Sequence, residues 1–318
     1  MATVFIVHAH HEPASFNAAM TQRARRVLAG DGHEVIVSDL YAMGFDPVSD
    51  RRNFTTVKDP AFLKQQREEA HASEHDGFSS DIAAEMAKLE RCDALIFQFP
   101  MWWFGVPAIL KGWIDRVMAA GRVYGNGKWY ERGAFKGKRA MVAMTTGGPA
   151  SMFDGWGLNP SLESILRPIQ HGVFWFTGFQ PLPPFIAWQV SRATTEDRAR
   201  MLDEYEARLH SLFTTTPLRY PGVDDCDDRY QDRVSRFMVA WTWNGPDTPE
   251  IDALIPRERA MLEEWRRDGV LLERWIAADQ CSGWLIVRAA DRPAVGALLD
   301  ALPLRRWLAC TITPLANA

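Results

Sequence analysis

Cysteine is scarce in this chain: Cys92, Cys226, Cys281 and Cys310 are the four in 318 residues. They are too scattered for a metal site or a disulfide framework, a usage that fits a reducing cytoplasm. No apolar run approaches the roughly 20 residues needed to cross a bilayer. A secretory leader is not expected either, because Val4-Phe5-Ile6-Val7 is too short for its apolar core and Glu12 soon follows. Positive charge is not in excess: 36 basic against 40 acidic side chains leave a net −4. That argues against a general binder of nucleic acid, whose affinity comes from clustered Lys and Arg. Lysine stops at Lys138, while arginine continues. No G-x-G-x-x-G follows the first apolar run, no P-loop is present, and no nucleophile elbow supports Ser-His-Asp chemistry. His8, His10 and His11 have a spacing that could hold a metal, but no cysteine or matched carboxylate completes a site, so none is expected. Beyond His210 there is no histidine at all. What remains is an ordinary globular composition, 47% hydrophobic and 24% charged, in a length that suits two domains or one large one.

Up to about residue 213 apolar strands alternate with amphipathic helices. The strands are read at Thr3–Val7, Glu34–Ser38, Cys92–Phe97 and Ala140–Met144, and helices at Phe16–Leu28 and Ala108–Met118. Gly172–Phe176 either opens a fifth strand or ends a helix leading into it. Gly44–Asp81 reads as a charged excursion. Such alternation predicts an α/β fold, a doubly wound parallel sheet with helices on both faces. Residues 216–233, acidic around Asp224-Asp225-Cys226-Asp227-Asp228, read as a linker. The pattern then changes. Strands at Phe237–Trp243, Val270–Ile276, Trp284–Arg288 and Trp307–Ile312, with helices at Pro256–Asp268 and Pro293–Leu302, give β-α-β-β-α-β over 234–318. That order predicts a second, smaller ferredoxin-like α+β domain. Its tryptophans, Trp241, Trp243, Trp265, Trp275, Trp284 and Trp307, are read as core.

In a doubly wound sheet ligands bind beyond the carboxyl ends of the strands, where strand order reverses. Three loops there are unusual. The first, His8 to Asn17, ends with Ser15 and Asn17 at a helix start, suited to a phosphate or simply to capping. The second, Gln98-Phe99-Pro100-Met101-Trp102-Trp103-Phe104-Gly105-Val106-Pro107, carries four aromatics where loops are normally polar. It would pack on a large flat ligand such as a flavin ring, or else be buried against protein alone. The third, Thr145-Thr146-Gly147-Gly148-Pro149, lets the backbone approach a ligand closely, or makes an ordinary turn.

At these loops the sequence resembles the NAD(P)H:quinone oxidoreductases, the DT-diaphorase-like flavoproteins. The matching runs are His10–Asn17, Ser38-Asp39-Leu40-Tyr41-Ala42-Met43, Gln98–Gly112, Thr145–Gly148, and Pro168-Ile169-Gln170 through Gly178-Phe179-Gln180. Together they span most of residues 1–215. The resemblance implies a flavodoxin-like fold, FAD as cofactor, NAD(P)H as co-substrate, a quinone acceptor and a homodimer. Carried over by position, His10, Ser15, Phe16 and Asn17 face the FAD phosphates. Pro100, Met101, Trp102, Trp103 and Phe104 hold the isoalloxazine, with Thr145, Thr146, Gly147 and Gly148 at its pyrimidine edge and Arg198 near the adenine. Trp103 and Phe104 also floor the acceptor pocket, which Tyr124, Asn126 and Phe176 close from the partner subunit. The chain departs from the animal enzymes where a Tyr and a His form a proposed proton relay: Phe153 and Asn159 stand there. Asn126 replaces a second pocket tyrosine and Arg192 a pocket histidine, and a glutamine that contacts the FAD falls near Lys64. The ending, Arg305-Arg306-Trp307 and Ile312-Thr313-Pro314-Leu315, resembles the YCII-like and muconolactone-isomerase-like ferredoxin folds.

These readings give the expectation of a cytoplasmic FAD-dependent NAD(P)H dehydrogenase (quinone) working by two-electron ping-pong hydride transfer. Gly147 and Gly148 would stabilise charge on the ring, and Phe153 and Asn159 would flank the transfer. The rivals are an azo- or nitro-compound reductase on the same scaffold, and a flavodoxin-like electron carrier or sensor. No nucleic-acid or membrane partner is expected.

Overall fold

A computed structural model describes residues 1–155, 157–223, 225, 235–246 and 248–315. They fall into two compact units, Met1–Leu218 and Arg219–Ala318. Half of the expected linker, residues 224 and 226–233, lies outside the described residues, Cys226 among them.

The first unit is a parallel sheet between two layers of helices. Its strands are β1 (Thr3–His8), β2 (Glu34–Asp39), β3 (Ala94–Pro100), β4 (Arg139–Thr145), β5 (Gln180–Pro181) and β6 (Phe185–Ala187). The order is β2-β1-β3-β4-β5, with β6 pairing the carboxyl end of β4. Strand order therefore reverses between β1 and β3, which makes the ends of those two strands the switch point. All seven residues of β3 are buried. Alternate residues feed two cores. Phe5, Val7, Leu95 and Phe97 pack with Trp113, while Val4, Ile6, Ile96 and Met141 pack with Met20, Leu28 and Tyr205. A strand buried on both faces has no polar stripe, which is why these segments read as continuous apolar runs.

The helices are α1 (Phe16–Gly30), α2 (Gln65–His75), α3 (Ser80–Arg91), α4 (Ala108–Val117), α5 (Leu162–Ile169) and α6 (Thr195–His210). The charged excursion is therefore structured: it contains α2 and packs on α4. Buried Arg116 holds it, donating to Asn53 Oδ1 at 2.8 Å and to the Asp46 carbonyl at 2.6 Å and pairing with Asp81 at 3.1 Å. Gly112 lets the two backbones meet, since a Cβ there would lie 2.3 Å from the Pro47 carbonyl oxygen. Of the two readings of Gly172–Phe176, the structure shows the end of a helix leading into the fifth strand. A π-helical turn, Gln170–Trp175, extends α5 and buries Phe174 against Phe97 and Phe179. The fifth strand follows in two short pieces separated by Leu182-Pro183-Pro184, because proline cannot donate to a ladder.

The second unit is a four-stranded antiparallel sheet of β7 (Ser235–Trp243), β8 (Leu271–Ile276), β9 (Ser282–Ala289) and β10 (Leu308–Leu315), in the order β10-β7-β9-β8. With helices Pro249–Arg267 and Arg292–Asp300 this is the expected ferredoxin-like β-α-β-β-α-β. The first of these helices starts seven residues before the expected position. Pro249 takes the first turn with Glu250 and Asp252, and Pro256 sits inside the helix. The tryptophans do not all serve as core. Trp265 is buried, whereas Trp275 and Trp284, paired across β8 and β9, are 52% and 40% exposed. They point to the face opposite Leu285 and Val287, which the helices cover.

Candidate active site

The three unusual loops come together. The first and third loops are tied by Asn17, which donates to Thr145 Oγ1 at 2.9 Å and accepts from Gln98 Nε2 at 2.8 Å. Gln98 in turn accepts from the Tyr205 hydroxyl at 3.3 Å. All four side chains are buried, where an unpaired amide would cost about 1–3 kcal/mol, so the network fixes the relative positions of the loops. The aromatic loop joins them through the Met101 amide, which donates to the Thr145 carbonyl at 2.9 Å. The Asn17 side chain is thus committed inside the protein, leaving its backbone amide for a ligand.

Ser15 caps α1, accepting from the Ala18 amide at 3.1 Å. Phe16 and Asn17 then supply first-turn amides that have no intrahelical acceptor, at the positive end of the helix dipole. His10 Nδ1 accepts the Glu12 amide at 3.0 Å, so the neutral ring carries its proton on Nε2 as a donor. Burial, and then the neighbouring His11, hold its pKa below the usual histidine range. His10 and His11 stack with ring centroids 4.9 Å apart, and both approach Trp102. His11 also meets the edge of Tyr41, which follows β2.

The aromatic loop is a two-residue turn. Trp102 and Gly105 exchange backbone hydrogen bonds at 3.1 and 3.0 Å, and Trp103 and Phe104 between them have φ of 51° and 55°. Left-handed conformations at both centres of a tight turn normally call for Gly, Asn or Asp. Two bulky aromatics there store roughly 1–2 kcal/mol each. Trp103 is nonetheless 97% exposed and Phe104 48%. Strain and exposure on the same pair of rings indicate a surface held ready for something flat.

Beside this turn, a Cβ at Gly147 would meet nothing within 4 Å, so its backbone faces open space. The Thr146 hydroxyl donates to the Gly148 carbonyl at 2.8 Å and fixes the turn. Gly148 lies against Met152 and Phe153. Phe153 is buried and packs on Trp188 at 5.6 Å. Asn159 is half-buried, its amide bonded to the Met152 carbonyl. Arg198 and Arg192 are exposed, and Arg198 donates to the Val190 carbonyl at 3.3 Å.

Tyr124 and Phe176 are not with these loops. Their rings lie 5.5 Å apart in a separate cavity of about 770 Å³, lined also by Lys64, Gln66, Glu69 and Val173. None of the residues lining it comes from the three loops. Asn126, in a left-handed turn two residues on, is exposed. Sequence reasoning missed His11, Tyr41, Trp188 and Glu69. For Tyr41 the quoted run after β2 was a usable signal; Trp188 and Glu69 have only tertiary partners.

Strand order, switch point and convergent loops define a flavodoxin-like protein, and the family model described as flavodoxin-like fold matches residues 2–209. Residues 236–318 match the model described as muconolactone delta-isomerase. The chain is 42% identical over 227 residues to NAD(P)H dehydrogenase (quinone) 1 of Cavia porcellus, covering 71% of this chain and 82% of that one. It is 40% identical to the ribosyldihydronicotinamide dehydrogenase (quinone) of Rattus norvegicus, over 68% of this chain and 94% of that one. A solved structure of a candidate quinone reductase from Klebsiella pneumoniae superposes with a TM-score of 0.68 at 38% identity, covering 70% of this chain and 88% of that one. The chain belongs to the NAD(P)H:quinone oxidoreductase family.

Proposed function

We propose that the protein is an FAD-dependent NAD(P)H dehydrogenase of quinones, a cytoplasmic homodimer that works by two-electron ping-pong transfer. The observation that carries this reading is the strained, exposed Trp103-Phe104 turn beside the open backbone of Gly147. Bound there, the flavin would accept a hydride from NAD(P)H and pass it to the acceptor.

The residues divide the remaining tasks. His10 Nε2–H and the Phe16 and Asn17 amides, with Ser15 shaping the helix start, bind the phosphates. Arg198 holds the adenine end. Pro100, Met101 and Trp102 shape the bed of the ring, with Thr145 and Thr146 fixing its pyrimidine edge. The Gly147 and Gly148 amides stabilise negative charge there. Trp103 and Phe104 floor the pocket in which nicotinamide and acceptor take turns, and Phe153, Asn159 and Arg192 border it. Tyr124 and Phe176 cannot close that pocket in their own chain while they line the separate cavity, and Asn126 follows Tyr124 in an exposed turn. A second copy supplies them, covers Trp103 and excludes water. Phe153 has no proton to give, so the Tyr/His relay of the animal enzymes does not run here unchanged.

The test is to denature the purified protein, identify the released flavin, and follow NADH and NADPH oxidation with quinone, azo and nitro acceptors. Released FAD with quinones as the fastest acceptors is the expected result. FMN, or no flavin after reconstitution, contradicts the cofactor. Faster azo or nitro turnover favours a reductase of those compounds, and no turnover with any acceptor favours a carrier.

A further inference from the structure

Reducing a quinone to a hydroquinone takes one hydride and one further proton. The flavin side of the pocket offers Phe153 and Asn159, neither of which is an acid. The 770 Å³ cavity holds one. Glu69, on α2, is 4% exposed yet lines that cavity. Its carboxylate accepts the Ala120 amide at 2.7 Å and Gln65 Nε2 at 2.8 Å, and it shares the cavity lining with Tyr124, whose hydroxyl it influences electrostatically. That hydroxyl accepts from Gln66 Nε2 at 3.5 Å.

The surroundings favour the protonated form. Burial pushes the Glu69 pKa up, and the negative charge of Asp115 on α4 adds to this, against the Ala120 and Gln65 hydrogen bonds. Asp115 is itself paired with Lys111 at 2.6 Å. The other charged group lining the cavity is Lys64, at the start of α2. Tyr124 is raised as well, by burial and then by Glu69. The neighbouring Glu68 shows the contrast. It accepts the Lys58 and Asp59 amides at 2.8 and 2.9 Å, and those bonds hold it below the ordinary carboxylate range. Glu68 acts as a fastener for the excursion and does not line the cavity.

We propose that Glu69 and Tyr124 are the proton-delivery pair for the acceptor half of the reaction, with a quinone as the recipient. This rests on the reading above, in which a second copy brings Tyr124 over the acceptor. As hydride arrives at one face of the quinone, the Tyr124 O–H breaks and an O–H forms on the quinone oxygen. The phenolate takes the Glu69 carboxyl proton, and the carboxylate is reprotonated from water at the cavity mouth. The sum is quinone plus hydride plus one proton, giving hydroquinone. Tyr124 is then the catalytic donor and Glu69 the group that recharges it.

The experiment uses the full-length, flavin-loaded protein and measures its two half-reactions separately by stopped flow, with a soluble benzoquinone as acceptor. Glu69→Gln keeps an oxygen for the Ala120 amide, so the fold has its acceptor. The ratio of the oxidative to the reductive rate should fall roughly a hundredfold in Glu69→Gln and in Tyr124→Phe, the range of general acid catalysis. In the wild type the oxidative rate should decline as pH rises through a limb above the ordinary carboxylate range, and Glu69→Gln should lose that limb. Infrared spectra across the same pH range should show a protonated carboxyl band that the variant lacks. An unchanged rate ratio and pH limb in a folded Glu69→Gln protein would overturn the pair. A wild type that takes no hydride from NAD(P)H would overturn the functional reading itself.

Discussion

The two units bury different things. The first encloses histidine, asparagine, glutamine, threonine, glutamate and arginine side chains, among them His8, Asn17, Glu69, Gln98, Arg116 and Thr145. Among the described residues of the second, the buried polar side chain is Glu258, which accepts the Leu304 amide at 3.0 Å. Both units enclose an apolar core, so hydrophobic content does not separate them. The difference is where each keeps polar groups that need partners from distant segments. In the first unit Asn17, Gln98 and Thr145 gather at the carboxyl ends of the strands, the place a doubly wound sheet reserves for ligands, while Glu69 lines the cavity beside α2 and Arg116 fastens the excursion. In the second, among the described residues, the Glu258 carboxylate closes a turn and faces the charge of Arg274. Buried, satisfied polar networks specify position. By that measure the chemistry belongs to the first unit.

The largest expected effect tests whether the two cores are independent. Trp113 is fully buried between Phe5 and Phe97, and its indole donates to Glu85 Oε2 at 2.8 Å. Trp113→Ala should destabilise the first unit by about 3–5 kcal/mol. Calorimetry should then show one transition shifted down and the transition of the second unit in place; a shift of both together would mean that the units melt as one.

Next in size is the strained turn. Phe104→Gly should remove the left-handed penalty and raise stability by about 1 kcal/mol while weakening flavin retention. Denaturant midpoints and flavin affinity measured on the same protein check this. A variant that loses stability and keeps its flavin would mean the ring is there for packing alone.

Smaller still is Phe153→Tyr, which restores the hydroxyl of the animal enzymes beside Gly148. If the Gly147 and Gly148 amides already stabilise the ring, flavin reduction should change less than tenfold, under about 1.4 kcal/mol. Stopped-flow reduction by NADH and NADPH gives the number, and a hundredfold gain would count against the nicotinamide reading. The smallest effect is expected in the second unit. Trp284→Thr, on its exposed sheet face, should leave both half-reactions as they are, and a loss in either would bring that face into the reaction.

The strands of the first unit were legible because β1, β3 and β4 are buried on both faces, and the converging loops were legible because their composition is wrong for solvent. Other features depended on contacts that no short window holds. Glu69 acquires its character from Ala120, 51 residues away, and Arg116 from Asn53 and Asp46. Phe174 fitted either a strand or the end of a helix leading into one, and the extension of α5 settles it as helix and buries it. Pro256 looked like a helix start because proline favours the first turn, yet Pro249 already occupied that place. Trp275 and Trp284 were misread as core because bulk alone does not say which face of a strand a residue takes. Resemblance carried Tyr124 and Phe176 to the acceptor, and their separate cavity is what makes a second copy necessary to that reading.

The most direct test of the central claim is anaerobic reduction of a chain ending at Leu218, followed through its flavin absorbance. The account predicts that this chain retains FAD and is bleached by NAD(P)H at a rate close to that of the full-length protein. A folded, FAD-loaded chain of that length that NAD(P)H does not reduce would contradict it and move residues 219–318 into the active site.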